Sequence, residues 1–420
     1  MGLLGPGAGT RTTLGLAPTL PRSSLLSWAG CELIDLYRNG ATQSRVSSAR
    51  VLLALALAAC HGDGGLGGDE PLTFLWVSAG SEHTCAIATD DLAFCWGRNT
   101  FGQLGDATTT NSARPVPVVG GHRFGSVASG VNHTCAVDVN AAAFCWGDGR
   151  GGKLGTGLLS TTQSPAPVAG GLQFSQVVAG PEHTCGATLN GDVYCWGANS
   201  VGQLGNGTTV DASVPTLVNG ITALEVTVGS QHACALALNG STWCWGNNFS
   251  GQLGDGTTGH SPRPVPVGQS FLLESIGAGS GHTCGLRPDG IAFCWGRNRT
   301  GQLGNGSTAN DSTPEAVGPT GLLSSLSVGG EHTCAVGESR VGYCWGSNLN
   351  GVLGDGTTDD RFTPTAVVGT LRFQAMSAGT THTCGLTVDG FLYCWGFGFF
   401  GHLGNGAFDD SPIPVRVVDP

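Results

Sequence analysis

Fourteen of the sixteen cysteines stand in pairs ten residues apart: Cys85 with Cys95, Cys135 with Cys145, Cys185 with Cys195, Cys234 with Cys244, Cys284 with Cys294, Cys334 with Cys344 and Cys384 with Cys394. A histidine precedes each first cysteine by two positions, at 83, 133, 183, 232, 282, 332 and 382. Such residues can hold a metal, act as thiol nucleophiles or bond to one another. On a strand, His382 and Cys384 share one face and Cys394 could join them, which makes three ligands where a structural zinc takes four. A disulfide needs only the pair. If Val388-Asp389-Gly390 form a three-residue hairpin loop with Gly390 left-handed, Thr387 faces Phe391 and Cys384 faces Cys394. Facing residues of a non-hydrogen-bonded pair lie about 4.5 Å apart at Cα, within the reach of a disulfide. The cysteines therefore read as seven disulfides, each locking its own hairpin and none joining one unit to the next, with no metal and no cofactor. Buried free thiols are the alternative. Seven histidines at one repeat position read as structural posts, their ring nitrogens bonding neighbouring backbone, and no catalytic residue is assigned.

The elements that must position these pairs repeat every 49 or 50 residues. Each unit reads roughly F-x-x-V-x-A-G-x-x-H-T-C-x-L-x-x-D-G-x-x-Y-C-W-G-x-N-x-x-G-Q-L-G-x-G-T-T, followed by P-x-x-V. Four short strands fit each unit: a first such as Phe373–Ala378, a second such as His382–Thr387, a third such as Phe391–Trp395, and the P-x-x-V segment, for example Pro364–Val368. Asp389-Gly390 and the glycines from Gly401 to Gly404 mark turns between them. No stretch keeps a helical period. Seven such units predict an all-β fold, a seven-bladed propeller of four-stranded antiparallel blades. The end repeats match the middle ones, as a closed ring requires, whereas a solenoid needs distinct caps. The closing segment, residues 411–418, is expected to lace against the first unit near residues 72–79. The seven C-W-G tryptophans alternate to the face opposite cysteine and are expected to pack between blades.

The run H-T-x-x-L, then D-G-x-x-Y-x-W-G-x-N-x-x-G-Q-L-G, resembles the repeat of the regulator of chromosome condensation family, over all seven units and roughly residues 72–418. The resemblance implies the seven-bladed propeller. It also implies, as an alternative function, guanine-nucleotide exchange on a small GTPase. The chain departs from the pattern at several places. Cysteines fill two positions per unit that are usually small or apolar. Asp90-Asp91, Asn140-Ala141 and Ser339-Arg340 replace D-G, and Lys153, Val352 and His402 replace the glutamine of G-Q-L-G.

The 420-residue chain is 40% hydrophobic and only 11% charged, with 72 glycines and a net charge of −11. Residues 61–420 hold 13 basic and 27 acidic side chains, a balance of −14. That argues against nucleic acid as a partner, since phosphate binding needs clustered Lys and Arg. Residues 1–59 read as a disordered leader. Within it, the arginine-flanked apolar run ending Leu57-Ala58-Ala59-Cys60 has the layout of a secretory signal and resembles the lipobox of bacterial lipoproteins. Residues 46–59 are then the signal and Cys60 the lipidated first residue of the mature chain. Residues 1–45 are then an artefact of start-site choice, a reading that peptides from them in the cellular protein would refute. Cys31 leaves with the leader, residues 60–70 form a tether, and the propeller occupies 71–420. The expected address is extracytoplasmic, in the periplasm or at the cell surface. Membrane contact comes only through the lipid on Cys60.

Residues that repeat sevenfold build the scaffold, so function is expected where repeats disagree. The sharpest disagreement lies just before G-Q-L-G, in loops that share one face of a propeller. Phe101, Phe249, Leu349, Phe397, Phe399 and Phe400 place apolar bulk there as a ring, with Arg150 and Arg299 between, and aromatics with arginine are common in protein-binding hot spots. The expected function is a monomeric, non-enzymatic propeller that binds a protein or glycan through this ring. A secreted enzyme with its site at the central channel is the other alternative.

Overall fold

The computed structural model describes residues 71–268, 272–319 and 321–420. The leader, the signal, Cys31, the Cys60 anchor and the tether lie outside them. The described residues form seven four-stranded antiparallel sheets and two short 3-10 turns, Arg150–Gly152 and Leu349–Gly351. Each sheet is one blade built from four consecutive strands: residues 74–117, 124–167, 174–222, 225–266, 275–316, 323–366 and 373–416, blades 1 to 7. The first three strands of blade 7, Phe373–Ala378, His382–Thr387 and Leu392–Gly396, fall where the repeat places them. The fourth begins earlier than the P-x-x-V segment suggests: in blade 6 it spans Arg361–Ala366. Its pairing with the third strand skips a residue, a bulge between Cys344 and Gly346, and this draws residues before the proline into the sheet.

The cysteine register is as counted, and Cys384 faces Cys394. All seven pairs are joined as disulfides: Cys85 to Cys95, Cys135 to Cys145, Cys185 to Cys195, Cys234 to Cys244, Cys284 to Cys294, Cys334 to Cys344 and Cys384 to Cys394. Their Cα atoms lie 4.0–4.1 Å apart. Each bridge stays within its own hairpin. At the hairpin tips Gly390 is left-handed, with φ +82°. The three units that lack the tip glycine keep the same turn by forcing Asp91, Ala141 and Arg340 to φ of 65–66°. A side chain there costs about 1–2 kcal/mol, a strain the closed register of the hairpin imposes.

Every disulfide packs against the tryptophan of the next blade. Cys85 and Cys95 share a cluster with Trp146, Cys135 and Cys145 one with Trp196, and Cys185 and Cys195 one with Trp245. Cys234 and Cys244 lie against Trp295, Cys284 and Cys294 against Trp345, and Cys334 and Cys344 against Trp395. Cys384 and Cys394 share a cluster with Trp96, which closes the circle. All seven tryptophans are fully buried. Each indole Nε1 donates to the carbonyl before L-G in the preceding blade, as Trp146 does to Gln103 O at 2.9 Å and Trp96 to His402 O at 3.0 Å. The glycine of L-G must be glycine, because a Cβ on Gly105 would lie 2.6 Å from Trp146 Nε1.

The ring closes without exchanging a strand. Ser411–Arg416 pairs inside blade 7. The expected lacing therefore takes another form: Val417 packs with Phe74 and Leu72, and Leu72 N donates to Asp419 Oδ1 at 3.0 Å.

Candidate functional site

The histidine posts differ from expectation in what they bond. His83 Nε2 meets Thr134 Oγ1 of the next blade at 2.9 Å, a side-chain hydroxyl rather than backbone. The same contact recurs from His133 to Thr184, His232 to Thr283, His282 to Thr333, His332 to Thr383 and His382 to Thr84. The threonine Oγ1 also donates to the carbonyl that receives the indole, as Thr134 does to Gln103 O at 2.8 Å. The motif H-T-C thus carries a post, a strut and a lock in consecutive residues. Burial holds these imidazoles neutral: His83, His133, His232 and His282 fall to about 3, His183 and His332 to about 4. A neutral, enclosed imidazole braced by a hydroxyl is a joint between blades, with no access to substrate.

The channel mouth is ringed by small residues of all seven blades around a cavity of about 120 Å³, including Gly80, Ser129, Gly180, Ser230, Gly279 and Thr380. Its lining holds hydroxyls but no carboxylate, imidazole, amine or thiol that could act as acid, base or activated nucleophile.

The variable loops lie on the same face as that mouth. Strands alternate in direction, so the turns joining strands 1 to 2 and 3 to 4 share one face, and the hairpin tips and blade-to-blade links share the other. Five of the seven loops between strands 3 and 4 are locked by one asparagine. In blade 1, Asn99 Oδ1 accepts from Leu104 N at 3.0 Å, while its Nδ2 donates to Asp106 and Thr108. Asn199, Asn248, Asn298 and Asn348 do the same in blades 3 to 6. Blades 2 and 7 have Gly149 and Gly398 there. A Cβ at either would collide with the Ser160 or the Asp409 carbonyl.

Those two exceptional loops flank blade 1, and there the ring condenses. Phe397 stacks on Phe399 at 6.2 Å, and Phe399 meets Phe400 edge-on at 5.2 Å. The Arg98 guanidinium lies 5.1 Å from the Phe400 ring centre, and Arg150 lies 4.9 Å from that of Phe101. Asp148 grips Arg150 through two bonds of 2.9 Å. Burial raises the Asp148 carboxyl, but the hydrogen bonds from Arg150 and the nearby Lys153 charge bring it down to about 2. Lys153, fully buried, ties this loop to the next blade through Glu182 at 2.7 Å. Under Phe397 lies His402, which has no hydrogen-bond partner at either ring nitrogen and sits 4.6 Å from His382. Burial lowers its pKa to about 4.

Five of the eight ring residues therefore fall into two groups on neighbouring blades: Phe397, Phe399 and Phe400, and Phe101 with Arg150. Phe249 stands apart on blade 4, highly exposed and edge-on to His260 at 4.3 Å. Arg299 on blade 5 and Leu349 on blade 6 are exposed. Arg98 was missed although Phe397, at the equivalent position before the asparagine site, was included. The signal for it was its own variability: Arg98, Asp148, Ala198, Asn247, Arg297, Ser347 and Phe397 occupy that position.

Comparison with known proteins agrees with the fold. A family model described as RCC1-like domain matches residues 65–323. The regulator of chromosome condensation (RCC1) repeat matches 343–386 and 389–420. No curated protein matches the chain. Among solved structures it is similar to Prp20p of Saccharomyces cerevisiae, at 23% identity over 82% of this chain and 87% of that one, TM-score 0.69. It is also similar to human WBSCR16, at 22% identity over 77% and 88%, TM-score 0.68. The ectodomain of the Physcomitrella patens receptor kinase CR4 is more distant, at 21% identity over 77% and 74%, TM-score 0.52. Below 25% identity these likenesses speak to the fold alone. The family matches, the seven blades and the repeated seam residues together place the chain in the RCC1-like domain family.

Proposed function

We propose that the protein is an exported binding propeller that captures a protein partner through the loop face, centred where blades 7, 1 and 2 meet. The observation that carries this is the cluster of Phe397, Phe399 and Phe400 continued by the Arg98–Phe400 and Arg150–Phe101 stacks. Clustered aromatics and arginines, partly exposed on rigid loops, are what interface hot spots are made of. Other propellers of this fold bind proteins: Prp20p binds Gsp1p and histones, and Kap60 binds the same yeast protein. The exchange-factor alternative rests on that likeness alone. The enzyme alternative finds no acid or base at the channel mouth.

Seven disulfides support an oxidising compartment, since such bonds rarely persist in a reducing one. Strand 1 of blade 1 starts from the hairpin-tip face, so the described chain begins on the face opposite the capture loops. Binding of the natural partner by Phe399→Ser/Phe400→Ser tests the site. Capture reduced at least tenfold is expected, and undiminished capture places the site elsewhere. Alkylation without reductant, read by mass spectrometry together with the N-terminal peptide, tests the address. Seven intact bridges and a lipidated Cys60 are expected; fourteen free thiols and an intact leader would return the protein to the cytoplasm.

A further inference from the structure

The capture face is not electrically uniform. Around blades 1 and 2 its arginines are neutralised, Arg98 by Glu82 and Arg150 by Asp148. Where blades 6 and 7 meet, the balance changes. Leu349 and Phe399 are 73% and 64% exposed, large apolar side chains that the fold leaves in water. The same two loops, between strands 3 and 4 of blades 6 and 7, carry four exposed aspartates: Asp359, Asp360, Asp409 and Asp410. Among the described residues, none of the four takes part in an ion pair.

The strip is continuous. Asn348 N donates to Asp360 at 2.8 Å, which puts one carboxylate beside Leu349. Asn350 Nδ2 donates to Asp410 at 2.7 Å across the blade boundary. Gly398 N donates to Asp410 at 2.9 Å, and Gly398 is packed so closely on the Asp409 carbonyl that no side chain fits between them. The backbone therefore holds Asp409 and Asp410 against the Phe399 loop. Among the described residues, the Asp359 and Asp409 side chains have no bonding partner. Beneath the same loop the His402 ring, fully buried, leaves both nitrogens without a partner.

We propose that this sector docks a lysine- or arginine-rich protein segment carrying large apolar side chains, the cations meeting the four aspartates and the apolar groups covering Leu349 and Phe399. The proposal rests on the reading of the loop face as the capture face and adds the partner's chemistry. Like charges held side by side on rigid backbone repel, and a cationic segment relieves that repulsion while covering exposed apolar surface. An anionic or neutral partner would do only one of the two. Screening acts over about 8–10 Å at physiological salt, so the carboxylates should also speed association at low ionic strength.

The test uses the full mature chain and a fluorescein-labelled peptide of three Lys-Leu-Lys-Trp repeats, read by anisotropy. Comparison peptides are three Glu-Leu-Glu-Trp and three Lys-Ser-Lys-Ser repeats. Both are expected to bind at least tenfold more weakly. Asp359→Asn/Asp409→Asn keeps shape and removes two charges that support nothing in the fold; it is expected to weaken the first peptide about tenfold at low salt. Asp90→Asn/Asp389→Asn removes the same charge from the opposite face and is expected to change nothing. Equal loss from both pairs, or equal binding of the Glu-Leu-Glu-Trp peptide, would overturn the proposal. If Phe399→Ser/Phe400→Ser abolishes capture of the natural partner while Asp359→Asn/Asp409→Asn leaves it intact, the capture face stands and the cationic partner falls. If neither change matters, both fall.

Discussion

At the seam that closes the ring, between blades 7 and 1, His382 Nε2 meets Thr84 Oγ1 at 2.7 Å and Thr84 donates to His402 O at 2.9 Å. At the seam between blades 3 and 4, Ala233 stands where Thr84 stands, and both ring nitrogens of His183 are left without a partner. Only the Trp245 indole, bonded to Gln203 O at 3.0 Å, keeps the polar pattern there. The join of the chain's two ends is thus built like five other seams, and the weak joint is internal. A propeller closes by repeating one interface, and the place to look for opening is where the interface loses a residue.

The largest effect expected follows from the neutral histidines. Above pH 6.5 the folded and unfolded chains both hold them uncharged. Below 6.5 the unfolded chain binds protons while the folded chain, with values near 3–4, does not. Stability is therefore full above 6.5 and is lost as pH falls toward 4. A melting temperature that falls steeply over that window is the expected outcome of calorimetry, and a flat profile would show that the seams already open to water.

Breaking a good seam comes next. Thr84→Ala should cost about 2 kcal/mol, because it leaves His382 Nε2 buried without a partner and removes the second donor to His402 O. Making the poor seam good is the reverse experiment. Ala233→Thr should gain about 1 kcal/mol by denaturant unfolding, since the six equivalent positions already hold that side chain. If Thr84→Ala proves as mild as leaving Ala233 alone, the His–Thr contact is not what holds blades together. The smallest expected effect belongs to the loops. Phe399→Ser/Phe400→Ser should shift stability by about 0.5 kcal/mol or less, even as capture falls. A large loss would mean these rings are scaffold, not surface.

Much of this was readable beforehand. The ten-residue cysteine spacing and the hairpin loop together set a register that the structure repeats seven times, because a short antiparallel hairpin leaves one way to count. The strands were legible for the same reason, except the fourth, where a bulge moved its start. The threonine strut was missed, although H-T-C was in view and Ala233 was its visible exception. A contact between units 50 residues apart cannot be counted from one unit. The loop ring was half legible: residue type singled out Phe399 and Phe400, but nothing in the order of residues told Phe249 from them.

The blade itself is written in the order of residues. Period, turn residues and alternation are local quantities, and they settle four strands, a disulfide and the number of copies. Which residues of different blades touch is a property of the closed ring. Closure set the histidine on the next blade's threonine and the indole on the previous blade's carbonyl. It also set Arg98 of blade 1 over Phe400 of blade 7, because that neighbourhood exists only once the chain's two ends have become adjacent.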